Sequence, residues 1–141
     1  MPPHASRLAH IGIAVNDIDE SLKLYHEALG LSLHGRETVE KDRVNVAFLP
    51  IGDTEIELLE ATDPDSPIAR FIEKRGEGIH HIAIEVEDID AALETMRTRG
   101  FRLIDETPRS GAGGVRVAFL HPKSTGGVLI ELCENRNHGT E

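Results

Sequence analysis

Polar and apolar residues alternate near the start of the chain, in HIGIAV at residues 10–15. This period of two predicts a β-strand with isoleucine and valine on one face and His10, beside glycine and alanine, on the other. From 18 to 29 the apolar residues recur every three or four positions, which predicts a helix. Asp17 begins a capping-box pattern before this helix, and Gly30 follows its end. The chain is therefore predicted to begin with a strand and a helix.

Three more strands are predicted after this helix, and polar or glycine-containing turns separate them. They cover residues 31–33, 43–49 and 54–60. The same order is predicted again in the second half, as a strand at 80–86, a helix at 88–99 and strands near 101–105, 115–120 and 127–133. Between the halves, Ser66, Pro67 and Gly76 have the positions of the cap, first turn and terminator of a short helix. Each half is thus predicted as strand, helix and three strands.

The two halves also share sequence. HIGIAVNDID at residues 10–19 and HIAIEVEDID at 81–90 agree at seven of ten positions when His10 is aligned with His81. VNVAFLP (44–50) and VRVAFLH (115–121) agree at five of seven positions in the same alignment. IELLE (56–60) and IELCE (130–134) agree at four of five positions once a gap of three residues is opened in the alignment. The second half therefore has three additional residues before its last strand. Three ordered matches indicate an internal duplication.

The duplication predicts an α+β fold of two tandem βαβββ modules within one domain, at residues 8–134. The first module would cover about residues 8–61, the connecting helix 66–76, and the second module 79–134. The remaining residues, 1–7 and 135–141, are predicted to be tails.

Each module carries one histidine and one carboxylate at equivalent positions of its first and last strands. The histidines are His10 and His81, and the carboxylates, Glu57 and Glu131, interrupt apolar runs. A carboxylate among apolar neighbours requires a partner. Two imidazole nitrogens and two carboxylates suit a divalent first-row metal ion, so we predict that these four residues bind one such ion. The alternative is that they are polar residues satisfied at strand edges.

Composition narrows the classes of function. The chain has 141 residues, 39% of them hydrophobic, and no apolar run near the roughly 20 residues of a membrane helix. A net charge of −10 argues against a nucleic-acid partner. The single cysteine, Cys133, excludes an internal disulfide, and the sequence begins without a signal-peptide pattern. We therefore expect a cytoplasmic protein that contacts neither nucleic acid nor membrane.

Longer segments of the chain resemble a known family. The paired modules and the His/Glu/His/Glu set resemble the vicinal oxygen chelate (glyoxalase) superfamily. Within it, DSPIARFIEKRG (65–76), GEGIHHIAIEV (76–86) and FLHPKSTGGVLIEL (119–132) look like the methylmalonyl-CoA epimerase family. The resemblance covers about residues 8–134, and the HPK to GGVLIEL segment is its most specific part. It implies a curved sheet around a metal cleft.

The resemblance implies an isomerase that interconverts (2R)- and (2S)-methylmalonyl-CoA by metal-assisted proton transfer at C2 through an enolate. A metal that chelates the thioester oxygen and the free carboxylate would stabilise the enolate charge. The family assigns metal binding to the same four residues and makes Glu131 a catalytic proton-transfer residue as well. The implied ion is Co²⁺, with Mn²⁺, Ni²⁺ or Zn²⁺ as alternatives. The implied partners are the acyl-CoA substrate and a second copy of the chain in a homodimer.

Inversion at C2 requires a proton-transfer residue on each face of the carbon, and here the chain departs from the family pattern. Several family members place a glutamate on the strand that matches RVNVAFL, where this chain has Asn45. An amide does not accept a proton at neutral pH, so Asn45 is predicted to orient substrate or water. Glu37, Glu40 and Asp42 lie just upstream and are the alternatives for the second base.

Two basic residues are predicted to bind the substrate. Arg116 is the repeat counterpart of Asn45 and would face the same cleft and pair with the substrate carboxylate, or else form a surface ion pair. Lys123, in the HPK hairpin, would contact the carboxylate or the CoA phosphates, or else be an ordinary turn lysine.

Three other functions are compatible with such a fold. Bacterial glyoxalase I (lactoylglutathione lyase) uses a similar metal set, but its hairpin before the last strand is expected to read as a D-P-D-G turn rather than HPKSTGG. A metal-free binding protein would not require all four ligands. An iron dioxygenase needs two histidines and one carboxylate, and Glu57 would occupy a position that oxygen chemistry keeps open. The residues therefore favour the epimerase.

Overall fold

The computed structural model describes residues 5–134. The strands in this range are β1 (Ala5–Ala14), β2 (Gly35–Val39), β3 (Val44–Ile51), β4 (Thr54–Ala61), β5 (Gly78–Val86), β6 (Arg109–Ser110), β7 (Arg116–Leu120) and β8 (Ile130–Glu134). The helices are α1 (Ile18–Leu22), which continues as a π-helical segment at Lys23–Ala28, α2 (Pro67–Arg75) and α3 (Ile89–Thr98). Among the described residues, no helix is long and apolar enough to cross a membrane.

The chain divides into two compact units. Among the described residues, one unit consists of residues 10–80, and the other combines residues 81–134 with residues 5–9. The boundaries fall between Ala9 and His10 in β1 and between His80 and His81 in β5, which are the two points where the repeated sequence begins. Residues 1–4 and 135–141, which include most of the predicted tails, lie outside the described residues.

In the unit of residues 10–80, the strand order is β2, β3, β4 and the second half of β1. β1 runs parallel to β4, and β3 is antiparallel to both β2 and β4. One face of these strands packs against α1, and we call it the helix face. Its core consists of Val15, Ile18, Leu22, Ala47, Leu49 and Leu58. The opposite face carries His10 and Glu57, and we call it the His/Glu face.

The other unit repeats this arrangement. Its strand order is the first half of β1, then β5, β8, β7 and β6, with β5 parallel to β8 and β7 antiparallel to both β6 and β8. α3 packs on its helix face, where the buried core consists of Val86, Ile89, Ala92, Leu93, Ala118, Leu120 and Leu132. His81 and Glu131 lie on its His/Glu face. The predicted order of strand, helix and three strands is therefore confirmed in both modules.

The helices α1 and α3 begin in the same way. In each, an aspartate N-cap accepts a hydrogen bond from the N–H three residues later, and a glutamate at the end of the last strand accepts from the first helical N–H. The aspartates are Asp17 and Asp88, and the glutamates are Glu60 and Glu134. These carboxylates satisfy N–H groups that have no partner within a helix, and they stabilise the positive end of its dipole.

Replacing Asp88 by alanine should lower the free energy of unfolding by about 1 kcal/mol, because the N–H of Ala91 then loses its acceptor. Urea unfolding followed by circular dichroism measures the difference. Glu87→Ala is the control, since the exposed Glu87 immediately precedes the cap. An equal loss of stability in both variants would contradict the capping role.

The helix α1 ends in a π-helical segment, whereas α3 is α-helical throughout. The two helices begin at repeat-equivalent residues, Ile18 and Ile89, but the glycine that follows α1, Gly30, comes one position later in its module than Gly100 does in the other. The first module therefore has one extra residue between the helix start and the glycine. A π turn accommodates it because its hydrogen bonds span five residues instead of four, as between the Leu29 N–H and the Leu24 carbonyl.

The second strand of each module lies later in the chain than predicted. Residues 31–33 are not a strand, and β2 begins at Gly35, because Leu31 and Leu33 pack beside the core under α1 instead of pairing. The strand predicted at 101–105 is reduced to a single bridge. Leu103 packs against the α3 core and forms one isolated bridge, and β6 is a two-residue strand further on. The alternation thus indicated the packing of Leu31, Leu33 and Leu103 against a core, but Phe101 is exposed and neither segment forms a strand.

Candidate active site

In the unit of residues 10–80, β1 and β4 bring an imidazole against a carboxylate. The parallel register places Gly12 beside Glu57, so His10, two residues before Gly12, shares a sheet face with Glu57. Nδ1 of His10 is 3.2 Å from Oε2 of Glu57. The two side chains are 12% and 8% exposed, so the pair is largely withdrawn from water.

In the other unit, β5 and β8 form the equivalent pair. Ala83 lies beside Glu131, and His81 is on the same face. Nε2 of His81 is 2.9 Å from Oε1 of Glu131, and both residues are buried. The ring of Phe119 meets the His81 ring edge-on, with 5.5 Å between their centroids. Each unit therefore contains one histidine–glutamate pair at repeat-equivalent positions.

The chemistry of these pairs fits a divalent metal ion. Imidazole nitrogen and carboxylate oxygen are both donors for first-row divalent ions. In such a site each donor atom lies about 2.1 Å from the ion, so two donor atoms in adjacent coordination positions are about 3 Å apart. The distances of 3.2 Å and 2.9 Å within the two pairs agree with this spacing. Each pair by itself thus has the donor types and separation of a half-site for a metal.

The His/Glu face of the second module also carries a cation that the sequence analysis missed. Arg109 of β6 pairs with Val117, which places it on the same face as Phe119, two residues farther along β7. Its guanidinium carbon is 5.6 Å from the centroid of the Phe119 ring. Asp105 holds Arg109 there, with 3.3 Å between Oδ1 and Nε, and its other oxygen accepts from the Phe119 N–H at 2.8 Å. No repeat match pointed to Arg109, because its hairpin lies outside the three matching segments.

Asn45 lies on the helix face, so the expectation that it shares a face with the ligands is wrong. It alternates with Val46 along β3 and lies on the same side as Ala47, which packs under α1. Its Oδ1 accepts a hydrogen bond of 2.6 Å from Oγ1 of Thr38 on β2. Asn45 is therefore directed away from the His/Glu face.

Arg116 also lies on the helix face and forms the surface ion pair that was its alternative role. Its guanidinium is 3.2 Å from Asp90 of α3 and 3.2 Å from Glu134. The hydrogen bonds from Arg116 to Asp90, and to a smaller extent to Glu134, raise the pKa of the guanidinium above its ordinary value. Because Glu134 also caps α3, Arg116 supports the start of this helix.

The two faces of β3 and β7 could not be distinguished from sequence. VNVAFL and VRVAFL are apolar at most positions of both faces, as in strands that are covered on both sides. The register decides the question, because Phe48 and Phe119 each pair with the glutamate of the last strand. The phenylalanines, together with Val46 and Val117 two residues earlier, therefore lie on the His/Glu face.

The remaining candidates lie at the edge of the sheet or in turns. Glu37 is half-buried in the middle of β2, and Glu40 and Asp42 belong to a 3-10 turn that follows it. Lys123 is exposed in the 3-10 turn Pro122–Ser124, where its backbone N–H donates to Nδ1 of His121 at 3.1 Å.

Comparison with known proteins places this chain in a family. Residues 9–119 match the model of the Glyoxalase/Bleomycin resistance protein/Dioxygenase superfamily. The mitochondrial methylmalonyl-CoA epimerase of Homo sapiens is 41% identical over 127 residues, which are 89% of this chain and 72% of that protein. An ethylmalonyl-CoA/methylmalonyl-CoA epimerase of Cereibacter sphaeroides is 41% identical over 128 residues, 89% of this chain and 96% of that protein. The chain belongs to the methylmalonyl-CoA epimerase family.

A solved structure of this epimerase family has the same fold. A methylmalonyl-CoA epimerase in complex with methylmalonyl-CoA and NH₄⁺ superposes with a TM-score of 0.92 at 37% identity, covering 96% of this chain and 98% of that one. The resemblance to the epimerases and the glyoxalase-like α+β fold, both inferred from sequence, are therefore confirmed.

Proposed function

We propose that this chain is a methylmalonyl-CoA epimerase, which interconverts the (2R) and (2S) forms of its substrate by moving the proton on C2. The observation that carries the proposal is the histidine–glutamate pair, largely withdrawn from water, in each module of a chain that belongs to this family. A relative with nearly complete coverage of the chain was solved with methylmalonyl-CoA, which supports an acyl-CoA substrate.

In this proposal, His10, Glu57, His81 and Glu131 together hold one divalent ion. Their equivalence under the duplication supports a shared ion, because each module supplies the same two donor types. A bound ion would supply positive charge at the substrate oxygens where the negative charge of the enolate develops. The two carboxylates would balance the charge of the ion, and the low exposure of all four side chains limits competition from water.

Glu131 would also move the proton on one face of C2. Its carboxylate takes the proton while the electron pair of the C–H bond moves into the thioester and forms the enolate. Delivery of a proton to the opposite face then gives the other enantiomer. The contact with His81 at 2.9 Å orients the Glu131 carboxylate for this step.

Proton NMR of methylmalonyl-CoA in D₂O tests the proposed function. With metal-loaded protein, the C2 proton signal should disappear faster than in a protein-free control, which accounts for spontaneous exchange, and a chelator should abolish the difference. Exchange no faster than the control, together with turnover of the hemithioacetal of methylglyoxal and glutathione, would indicate a lactoylglutathione lyase instead.

Arg109, rather than Arg116, is expected to bind the negatively charged substrate. A guanidinium has five N–H donors and can bind Asp105 and a second anion together. Replacing Arg109 by glutamine should raise KM by about 10- to 100-fold, the factor expected from one hydrogen bond to a charged group. Initial-rate kinetics with methylmalonyl-CoA measure KM and kcat separately, and kcat should change less than KM.

Arg116→Gln is the matched control, because Arg116 lies on the helix face of the neighbouring strand and is paired with Asp90 and Glu134. Its KM should equal that of the wild type. If this variant raised KM as much as Arg109→Gln, the assignment of roles by sheet face would be wrong.

We also propose that Co²⁺ is the preferred ion, that the protein is a homodimer and that Lys123 contacts the phosphates of CoA. The resemblance to the family supports the first two, and the exposed position of Lys123 in its turn supports the third. Metal-activation profiles, light scattering and the KM of Lys123→Ala test them.

A further inference from the structure

We infer that Glu37 is the second proton-transfer residue, which acts on the face of C2 opposite Glu131. The inference rests on the proposed epimerase function and selects one carboxylate from the three that the sequence left open. Two observations carry it, the register of β2 and the equivalence of the two modules.

The register places Glu37 on the His/Glu face of its unit. Glu37 pairs with Val46 of β3, and Val46 pairs with Leu59 of β4, so these side chains form one row across three strands. The next row on the same face consists of Gly35, Phe48 and Glu57. From the usual strand spacing and rise per residue, the Cα atoms of Glu37 and Glu57 are about 12 Å apart. The two carboxylates therefore lie on one face, two strands and one row apart.

The other two carboxylates lie farther from the ligands. The ladder between β2 and β3 ends before residue 40, and Glu40 and Asp42 form the turn beyond it. Along β3, this turn is at least four residues, about 13 Å, from Phe48, the partner of Glu57. Glu37 is separated from the Phe48 row by two residues, about 7 Å. Glu37 is therefore the carboxylate of the three that lies nearest to the ligand row.

Glu37 and Arg109 occupy equivalent positions of the two modules. Glu37 pairs with Val46 and Arg109 pairs with Val117, and these valines are repeat counterparts in the matching segments VNVAFLP and VRVAFLH. At this position the duplication has diverged into an anion and a cation. Proton abstraction from an anionic substrate needs both a base and a positive charge that binds the substrate. The divergence fits these two roles, with Glu37 as the base and Arg109 as the cation.

In the second module, the side chain at this position lies over the aromatic residue that contacts a proposed ligand. Arg109 lies over Phe119 at 5.6 Å, and the Phe119 ring meets His81 at 5.5 Å. Phe48 is the repeat counterpart of Phe119, and it pairs with Glu57 as Phe119 pairs with Glu131. By the same register, Glu37 lies one row from Phe48 and Glu57 in its own module.

Glu55 is the closest competitor for this role. It also lies on the His/Glu face, as the partner of His10 at the start of β4. It flanks Glu57 on the side opposite the Glu37 row and stands directly beside a ligand, whereas Glu37 is separated from the ligands by one row. A test of Glu37 therefore includes Glu55.

The two carboxylates hold complementary protonation states during the step. In one direction, the Glu37 carboxylate removes the C2 proton and leaves the enolate, and a protonated Glu131 delivers its proton to the other face and forms the new C–H bond. Glu37 ends protonated and Glu131 ionised, and proton exchange with water restores the starting state. In the other direction, the two residues exchange roles.

The experiment compares epimerisation with deuterium incorporation, starting separately from each pure enantiomer in D₂O. In Glu37→Gln, epimerisation should fall by at least about 100-fold. Exchange should persist, without inversion, for the enantiomer that Glu131 deprotonates, and it should be lost for the other one. The metal content and the affinity for malonyl-CoA should stay at the wild-type values. Glu37→Asp, which keeps a carboxylate, should retain part of the epimerisation and thus exclude misfolding as the cause.

Glu40→Gln, Asp42→Asn and Glu55→Gln should retain both exchange reactions. The inference is overturned if Glu37→Gln epimerises at the wild-type rate, if it loses both exchange reactions equally, or if Glu55→Gln shows the one-sided loss instead. A wild-type protein without any catalysed exchange at C2 would overturn the proposed function itself, which is a different result.

Discussion

Replacing His81 by alanine should give a folded protein that loses its metal ion during gel filtration. Nε2 of His81 lies 2.9 Å from Glu131, so the change removes one of the four proposed ligands next to another. Even the loss of a group that merely orients a ligand weakens metal affinity by about 10- to 100-fold, so the loss of the ligand itself should exceed about 100-fold. His10→Ala should behave in the same way, because His10 is the repeat counterpart. Elemental analysis of the purified variants measures the metal content.

His80→Ala is the matched control for this prediction. His80 immediately precedes His81, but its ring meets Phe71 edge-on, with 5.0 Å between centroids, and alternation places it on the other side of β5. The control should keep its metal. Full metal content in both His10→Ala and His81→Ala would show that the ligand assignment is wrong, and loss in only one of them would show that the modules do not share one ion.

The four candidate ligands could be predicted because the duplication presents each position twice. A single histidine in a strand is usually a satisfied polar residue, but His10 and His81 occur at the same place in two copies of one strand. Alternation within HIGIAV also predicted the correct face, since the register puts Gly12 beside Glu57. Local periodicity and repetition were sufficient to predict the face of each histidine, because β1 and β5 each have one aliphatic face and one face of small or polar residues.

The faces of the middle strands could not be predicted from their own residues. In β3 and β7 both faces are mostly apolar, so the pattern does not show which side holds Asn45 or Arg116. The pairing of Phe48 and Phe119 with the glutamates decides it, and register between strands distant in sequence is a property of the folded sheet. The register between strands also identifies Arg109 as the counterpart of Glu37. The two residues have opposite charges, so the sequence alone does not show that they are equivalent.

Packing explains the errors in strand placement. Leu31 and Leu33 alternate as in a strand, but they fill space beside α1 without a partner strand. Leu103 has a similar position in the second module and forms one bridge. Apolar alternation indicates which side of a segment is buried. Strand formation also requires backbone hydrogen bonds to a neighbouring strand, and these depend on where that strand ends.

Replacing Glu131 by glutamine should lower kcat for epimerisation by about 10²- to 10⁴-fold, the contribution of one positioned acid–base group. The amide has nearly the same shape and keeps one oxygen for the metal, but it cannot accept the proton from C2. Initial rates are therefore measured at saturating metal, where weaker metal binding no longer limits the activity. Deuterium exchange should be lost for the enantiomer that Glu131 deprotonates and retained for the other.

Glu57→Gln is the control that separates the effect of losing a proton-transfer residue from the effect of losing a negative charge at the metal site. Glu57 and Glu131 occupy equivalent positions, pair with equivalent histidines and are both buried, so the same change removes the same charge from the same kind of environment. At saturating metal, Glu57→Gln should recover activity to within about 10-fold of the wild type, since it removes charge from the ligand set without removing a base. A ratio of about 100 between the two variants corresponds to about 2.7 kcal/mol of transition-state stabilisation that belongs to proton transfer alone. Equal losses in both variants would mean that Glu131 is a ligand and that the proton is moved by another group.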